Sequence, residues 1–208
     1  MTSGMMNNRA RRRSVVFAAG TLVCTLAACS TGGGGTSEKS TISVGVTSAL
    51  MSHLSPGKSG GTNIDAALFT PLTSVDTATG KLRYEVASSI TSKDNKTWTI
   101  KLKKGWTFTN GEKVTAQSFA DSWNATAYAP NGFTNNYLLQ NFAGYEALNP
   151  LKGEPKAKTL SGVKVRDPYT LEVTLNKPLS MLPYVLAQST FAPIPKAALK
   201  DFEAFDRK

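Results

Sequence analysis

The sequence predicts an α+β fold, a mixed α/β arrangement whose strands and helices do not follow a regular βαβ order. One observation is the alternation of apolar and polar residues over Thr97–Leu102, which is typical of a strand with one buried face. A second is the helical spacing of Phe119, Trp123 and Ala127. A third is a pair of apolar stretches on either side of a turn at Asp167–Pro168, which predicts a β-hairpin.

Five elements are expected before the strand at Thr97–Leu102. Alternation favours strands, a cluster of Ser, Pro and Gly favours a loop, and Pro71 is expected to close a helix because proline cannot continue one. The expected elements are a strand at 42–46, a loop at 51–61, a helix at 63–72, a turn at 76–80 and a strand at 82–86.

The remainder of the chain is expected to mix helices with extended segments. Turn dipeptides at Lys104–Gly105 and Asn110–Gly111 follow the strand, and Thr115 is placed to cap the helix that carries Trp123. The other expected elements are a helix at 137–148, a hairpin at 161–175, a helix at 179–187, an extended segment at 191–195 and a helix at 196–205.

The composition excludes several classes of protein. With 40% hydrophobic and 18% charged residues the chain is not disordered throughout, and two cysteines cannot build a disulfide scaffold. The single histidine, His53, is more typical of a surface residue than of a ligand. Gly57, Lys58 and Ser59 lack the upstream glycine of a phosphate-binding loop, and no carboxylates are paired at helical spacing. We therefore expect no enzyme activity, no metal site and no cofactor.

The N-terminus has the pattern of a secretory leader. A cluster of four arginines precedes an apolar run, Ser14–Ala28, that is shorter than the roughly 20 residues a membrane-spanning helix needs. The run ends in Leu26-Ala-Ala-Cys29, which resembles the lipobox of bacterial lipoproteins, whose cysteine is acylated and becomes the new N-terminus. Residues 1–28 are therefore expected to be a lipoprotein signal peptide, with Cys29 as the lipidation site. A buried N-terminal helix is the alternative.

The net charge changes once this leader is set aside. Residues 1–28 contain four arginines and no acidic residue, so a formal charge of +10 would become +6. Residues 29–40 are rich in Gly and Ser and are expected to form a flexible tether. The densest remaining basic patch, Lys101, Lys103 and Lys104, lies where a strand faces solvent, so we expect no nucleic-acid partner.

Several ordered segments of the body resemble one family of proteins. Residues 97–111, 113–123 and 160–175 are similar to family segments that read YTFKLRDGVKFSDG, PVTAEDVVFSW and LSGVKVVDDYTLEVTL. Shorter matches occur at 41–45, 67–72, 145–149 and 191–196. On these motifs the chain is identified as a member of the bacterial extracellular solute-binding proteins of family 5, the oligopeptide-, dipeptide- and nickel-binding lipoproteins of ABC importers. Where the family loop reads SLDP, this chain has His53-Leu-Ser-Pro56.

The resemblance implies a two-lobed, periplasmic-binding-protein-like clamp that closes on its solute. Residues 41–208 would be the N-terminal part of the solute-binding domain, with 71–191 as the outer subdomain of the first lobe and the second lobe absent from this chain. The first-lobe wall of the solute site would come from residues 57–63 and 133–137. The ligand-binding residues that this implies are Ser59, Gly60, Gly61, Asn63, Phe133 and Asn136.

The favoured function is a receptor that delivers oligopeptides or dipeptides to the permease subunits of an ABC importer. Acylation of Cys29 would hold it on the lipid bilayer, at the extracellular face or in the periplasm. The same fold could instead bind a nickel chelate, a sugar or a signalling peptide. A surface lipoprotein without a transport role, or a non-functional remnant, is the remaining alternative.

Overall fold

The computed structural model describes residues 53–58 and 63–206, which belong to one compact unit spanning residues 45–208. The expected signal peptide, the tether and the strand expected at 42–46 lie outside the described residues. The described part mixes short helices with two antiparallel sheets, so the α+β prediction is confirmed.

Six strands form these two sheets. They are β1 (Thr73–Val75), β2 (Leu82–Tyr84), β3 (Ala87–Ser92), β4 (Thr97–Leu102), β5 (Val163–Asp167) and β6 (Thr170–Thr174). The first two pair with each other, and the other four form a sheet in the order β3-β4-β6-β5. Trp98, Ile100 and Leu102 of β4 are buried, as the alternation predicts, and the expected hairpin of β5 and β6 is present.

The helices of the described part are short, except for one. They are α1 (Asn63–Leu68), α2 (Ala116–Ala127), α3 (Tyr145–Leu148), α4 (Leu182–Val185), α5 (Lys196–Lys200) and α6 (Phe202–Asp206). Further 3₁₀ helices occupy Ala129–Asn131, Thr134–Leu139 and Ser189–Phe191. The N-cap prediction for α2 is confirmed, because Thr115 N donates to Ser118 Oγ at 3.2 Å in a capping box.

The core lies where α2 packs against the four-stranded sheet. Phe119 and Trp123 of α2 are fully buried. The Trp123 ring meets Phe142 and Phe191 edge-on, with centroids 5.5 and 5.9 Å apart, and its indole N–H donates to the Phe191 carbonyl at 3.0 Å. Each such buried aromatic stabilises the fold by about 1.5–3 kcal/mol. This cluster fixes the chain segments on both sides of the site described below.

The prediction of a continuous helix at 137–148 is wrong. The chain instead forms the 3₁₀ helix Thr134–Leu139 and the short α3, separated by a turn in which Gly144 has a φ of 90°. Within that turn Ala143 N donates to the Thr174 carbonyl at 3.0 Å, at the end of β6. The segment pairs with the sheet rather than with itself, so tertiary contacts override the helical spacing.

Other expected boundaries also differ from the structure. α1 ends at Leu68, because the chain after Pro71 enters β1 instead of continuing the helix. α4 contains four residues around Pro183, and the last expected helix is divided at Asp201, whose backbone is extended with a φ of −152°. The strand β3 was not expected, since its polar residues outnumber its apolar ones.

Candidate functional site

The segment 53–58 passes close to the Phe133 ring because it has a glycine at position 57. A Cβ added to Gly57 would lie 2.3 Å from Phe133 Cδ2 and 2.9 Å from Thr126 Oγ1. Both distances are shorter than van der Waals contact, so any larger residue requires the ring or the backbone to shift. The close approach places the carbonyls of this segment within hydrogen-bond reach of the residues around Phe133.

Four hydrogen bonds fasten the carbonyls of this segment. Asn135 N donates to the Gly57 carbonyl at 3.0 Å, and Thr134 Oγ1 donates to the Lys58 carbonyl at 3.1 Å. The Pro56 carbonyl accepts from Asn135 Nδ2 and from Thr190 Oγ1, both at 3.3 Å. The segment is therefore tied to the start of the 3₁₀ helix Thr134–Leu139 and to residue 190.

A carboxylate of α6 meets the same segment from another side. Asp206 Oδ1 accepts from Ser55 N at 2.7 Å and from Ser55 Oγ at 2.6 Å. Asp206 Oδ2 lies 3.4 Å from Lys58 Nζ and 3.3 Å from His53 Nδ1. Burial raises the pKa of Asp206, but the hydrogen bonds from Ser55 and Lys58 outweigh burial, so this pKa lies below its ordinary value of 3.8. The carboxylate is therefore ionised at neutral pH.

A groove of about 460 Å³ is lined by Asn135 and Thr190, the two residues that bind the Pro56 carbonyl of this segment. Its walls come from α1 and the residues after it, from the 3₁₀ helix Thr134–Leu139, and from residues 187–190. None of its lining residues carries a charge, and Tyr137 is a prominent member because 55% of its surface is exposed. The polar lining residues are Ser74, Asn135, Tyr137, Gln188, Ser189 and Thr190. The volume and the mixture of aromatic and neutral polar groups suit a small organic ligand.

The residues expected to bind ligand have different locations. Ser59, Gly60 and Gly61 lie outside the described residues, and Asn63 is the first residue of α1. Phe133 is buried, with 2% of its surface exposed, and packs edge-on against Phe202 at a centroid distance of 5.0 Å. Its ring therefore supports the segment 53–58 from within.

Asn136 belongs to a cluster of polar side chains with Tyr145 and Asn149. Asn136 Oδ1 accepts from the Tyr145 hydroxyl at 2.6 Å and from Asn149 Nδ2 at 2.8 Å. Asn149 Nδ2 also lies 2.7 Å from the Tyr145 hydroxyl oxygen, and burial raises the pKa of Tyr145. The Asn136 side chain thus ties the 3₁₀ helix to α3, while its neighbours Asn135 and Tyr137 line the groove.

Four residues that the sequence did not single out as ligand-binding contribute to the site, namely Asn135, Tyr137, Thr190 and Asp206. Asn135 and Tyr137 lie within the expected wall segment 133–137, whereas Thr190 and Asp206 lie outside both expected segments. Asn135 and Tyr137 face the groove because their segment is a 3₁₀ helix, whereas an α-helix beginning at Tyr137 was expected. Thr190 and Asp206 lie far along the chain from the segment that they contact. A local signal that could have pointed to Asn135 is the run of neutral polar residues before Tyr137.

Residues 53–58 and 63–206 contain no group of three or more His, Cys, Asp or Glu side chains that could hold a metal ion. No helix in that part of the chain is long and apolar enough to cross a bilayer.

Residues 81–208 match the profile of the bacterial extracellular solute-binding proteins, family 5 Middle. The chain belongs to this family. The resemblance that the sequence motifs suggested is therefore confirmed. The family's description makes its members extracellular binding proteins, which fits the expectation of a protein that is not an enzyme.

Individual relatives agree with this family assignment. The chain is 34% identical over 117 residues to the periplasmic oligopeptide-binding protein OppA of Escherichia coli (strain K12), covering 56% of this chain and 21% of OppA. It is 31% identical over 198 residues to the oligopeptide-binding protein OppA of Bacillus subtilis (strain 168), covering 88% of this chain and 35% of the relative. The chain thus spans about a third or less of the length of these relatives.

The fold also matches that of a solved structure, Burkholderia pseudomallei OppA. The two superpose with a TM-score of 0.64 at 31% sequence identity, over 72% of this chain and 29% of the other. The described residues therefore have the mixed α/β fold of one part of an OppA-type periplasmic binding protein.

Proposed function

We propose that this protein is a solute receptor that binds peptides and delivers them to the permease subunits of an ABC importer. Family membership makes solute binding the general function, and both OppA relatives are described as oligopeptide-binding proteins. Residues 41–208 would form the N-terminal part of the solute-binding domain, within the first lobe of a two-lobed clamp.

The observation that carries this proposal is the uncharged groove beside the segment 53–58. An importer of peptides must accept many side chains, and a groove with neutral polar and aromatic walls repels neither sign of charge. Main-chain groups of an extended segment can hydrogen-bond a peptide backbone whatever its sequence. We assign that role to Ser59, Gly60 and Gly61, which follow the anchored residue Lys58 and precede Asn63.

The roles of the inward-facing residues follow from their contacts. Phe133 would act by packing its ring against Gly57. Asn136 would act by holding the 3₁₀ helix Thr134–Leu139 in place through its hydrogen bond with Tyr145. Direct contact with the peptide side chain would then fall to Tyr137, the exposed aromatic of the groove.

Peptide uptake by living cells tests this function. Deleting the gene should abolish uptake of labelled peptides of two to five residues, and the wild-type gene should restore it. A gene carrying Tyr137→Ala should restore an uptake rate about tenfold lower than the wild-type gene does, because the substitution removes a large contact area from the groove. Tyr84→Ala is the matched control, since Tyr84 is 41% exposed and does not line the groove. Unchanged uptake of every peptide in the deletion strain would contradict the proposal.

We further propose that acylated Cys29 anchors the receptor to the lipid bilayer, and that residues 29–40 separate the folded body from that surface. The lipobox-like segment before Cys29 supports this. Cys29→Ala should release the protein from the membrane fraction, whereas Cys24→Ala should leave it there. Membrane retention of the Cys29 variant would refute the anchor.

A further inference from the structure

The contact between Asp206 and the segment 53–58 joins residues that are far apart in the sequence, and it is buried. Asp206 and Ser55 are 151 positions apart, yet the backbone N–H and the hydroxyl of Ser55 both donate to the same carboxylate oxygen, at 2.7 and 2.6 Å. Ser55 is fully buried, and the Asp206 side chain is 4% exposed. A carboxylate withdrawn from water to this extent is stable only where hydrogen-bond donors and a positive charge replace the water.

Lys58 supplies the positive charge and extends the contact to the aromatic residues below. Its ammonium group lies 3.4 Å from Asp206 Oδ2, 5.4 Å from the centre of the Phe133 ring and 5.9 Å from that of Phe202. The side chain is 16% exposed, so these partners define its position more than solvent does. His53, which is 44% exposed, also faces the carboxylate, with Nδ1 at 3.3 Å from Asp206 Oδ2.

The same short segment is therefore held from two sides. Asp206 binds Ser55 and Lys58 through side chains and one backbone N–H, while Asn135, Thr134 and Thr190 bind the carbonyls of residues 56–58. Removing the carboxylate would leave a buried Ser55 N–H without its acceptor and the Lys58 ammonium without its counter-charge. The carbonyl contacts alone would then have to define the path of the segment beside the groove.

We infer that Asp206 is a positioning residue for solute binding: its carboxylate fixes Ser55 and Lys58, and thereby aligns the segment 53–58 with the groove at Asn135 and Tyr137. The inference rests on the proposed function, because it assigns Asp206 a role in forming the proposed peptide site. Asp206 itself does not line the groove, so its effect on a peptide is exerted through the segment that it holds.

The test compares Asp206→Asn with Asp201→Asn in the full chain. Asn at position 206 keeps the size of the side chain but loses the charge. Asp201 precedes the same helix and is exposed, and its carboxylate accepts a hydrogen bond only from Ala204 N, at 2.9 Å, among the contacts described, so it controls for general damage to α6. The dissociation constant of trialanine is measured for each by calorimetry, together with the melting temperature.

We expect Asp206→Asn to weaken trialanine binding about tenfold or more, since a charge-assisted hydrogen bond is lost. The dissociation constant of Asp201→Asn should stay within about twofold of the wild-type value, even if this substitution lowers the melting temperature as much as Asp206→Asn does. Equal dissociation constants for the two folded variants would overturn the inference.

Exchanging the two side chains separates positioning from mere stability. In the double variant Ser55→Asp with Asp206→Ser, the carboxylate moves to the segment and remains next to Lys58 and His53, and the hydroxyl moves to α6. Affinity should return to within about threefold of wild type, because the contact is rebuilt from the other side. A folded double variant that binds as weakly as Asp206→Asn would overturn the inference. Failure of the wild-type chain to bind any peptide would instead overturn the proposed function.

Discussion

At the residue scale, the polar contacts of Asp206 give the site its dependence on pH. The carboxyl has a lowered pKa in the folded protein, with Ser55 and Lys58 as the groups that outweigh its burial. Within residues 53–58 and 63–206, His53 Nδ1, at 3.3 Å, is the other titratable group that faces it. A lowered folded pKa means that the folded state binds fewer protons than the unfolded state at moderately acidic pH, so the ionised carboxylate stabilises the fold.

This predicts a defined pH window for the stabilisation by Asp206. Its contribution is complete well above 3.8, the ordinary pKa, and is lost as the pH falls through 3.8 towards the lowered folded value. The urea midpoints of wild type and Asp206→Asn should therefore differ at pH 7 and converge towards pH 3. Comparing the two proteins cancels the similar acid response of other carboxylates, such as Asp76 and Asp94, whose pKa values are also lowered by hydrogen bonds. A difference that stays constant down to pH 3 would contradict the assignment.

At the element scale, strands with clear alternation and the helix with a capping residue were predictable from the sequence. β4, α2 and the hairpin of β5 and β6 each have a local pattern that agrees with their surroundings. Of the elements that form the groove, α1 falls within the helix expected at 63–72, but the 3₁₀ helix beside it was not predictable. The 3₁₀ helix Thr134–Leu139 replaces the first three residues of the α-helix expected at 137–148, because residue 143 pairs with the end of β6, a contact between residues 31 positions apart.

The candidate site, too, was predictable only in part from the sequence. The family resemblance implied two segments, 57–63 and 133–137, and the structure brings the described part of the first against the second through Asn135 and Gly57. Which side chains face the groove depends on the helical repeat, so the prediction named Asn136 where Asn135 and Tyr137 line the cavity. The contribution of Asp206 depends on a contact between distant parts of the chain, for which no local pattern exists.

Gly144 is the residue on which the interruption between the 3₁₀ helix and α3 depends. Its φ is 90°, and a Cβ there would lie 2.5 Å from Ser161 N. Gly153 is a matched control, because its φ is 80° but nothing lies within 4 Å of an added Cβ. Gly153→Ala should lower the free energy of unfolding by about 1 kcal/mol, from backbone strain alone. Gly144→Ala should lower it by about 1–3 kcal/mol more, because of the added steric clash. Urea denaturation measures both free energies. An equal loss of stability in the two variants would show that the close approach of Gly144 to Ser161 is unimportant.

At the scale of the whole molecule, the chain combines a family fold with a groove whose walls come from three separate regions. α1, the 3₁₀ helix Thr134–Leu139 and residues 187–190 meet there, and the Trp123 cluster holds the last two in place through Phe142 and Phe191. The core of the domain and the proposed site are therefore coupled. The central claim is that peptides bind in this groove, beside the segment that Asp206 holds.

Photo-crosslinking of a bound peptide tests this claim most directly. A tripeptide containing benzoylphenylalanine is irradiated with the full chain, and the attachment points are found by mass spectrometry after proteolysis. The labels should fall on Tyr137 and on residues 187–190, and an excess of trialanine should abolish them. A second, apolar groove lined by Leu68, Trp106 and Phe108 serves as the internal control, because non-specific labelling there should resist competition. Competable labelling confined to that second groove, or to any surface away from Tyr137, would contradict the account.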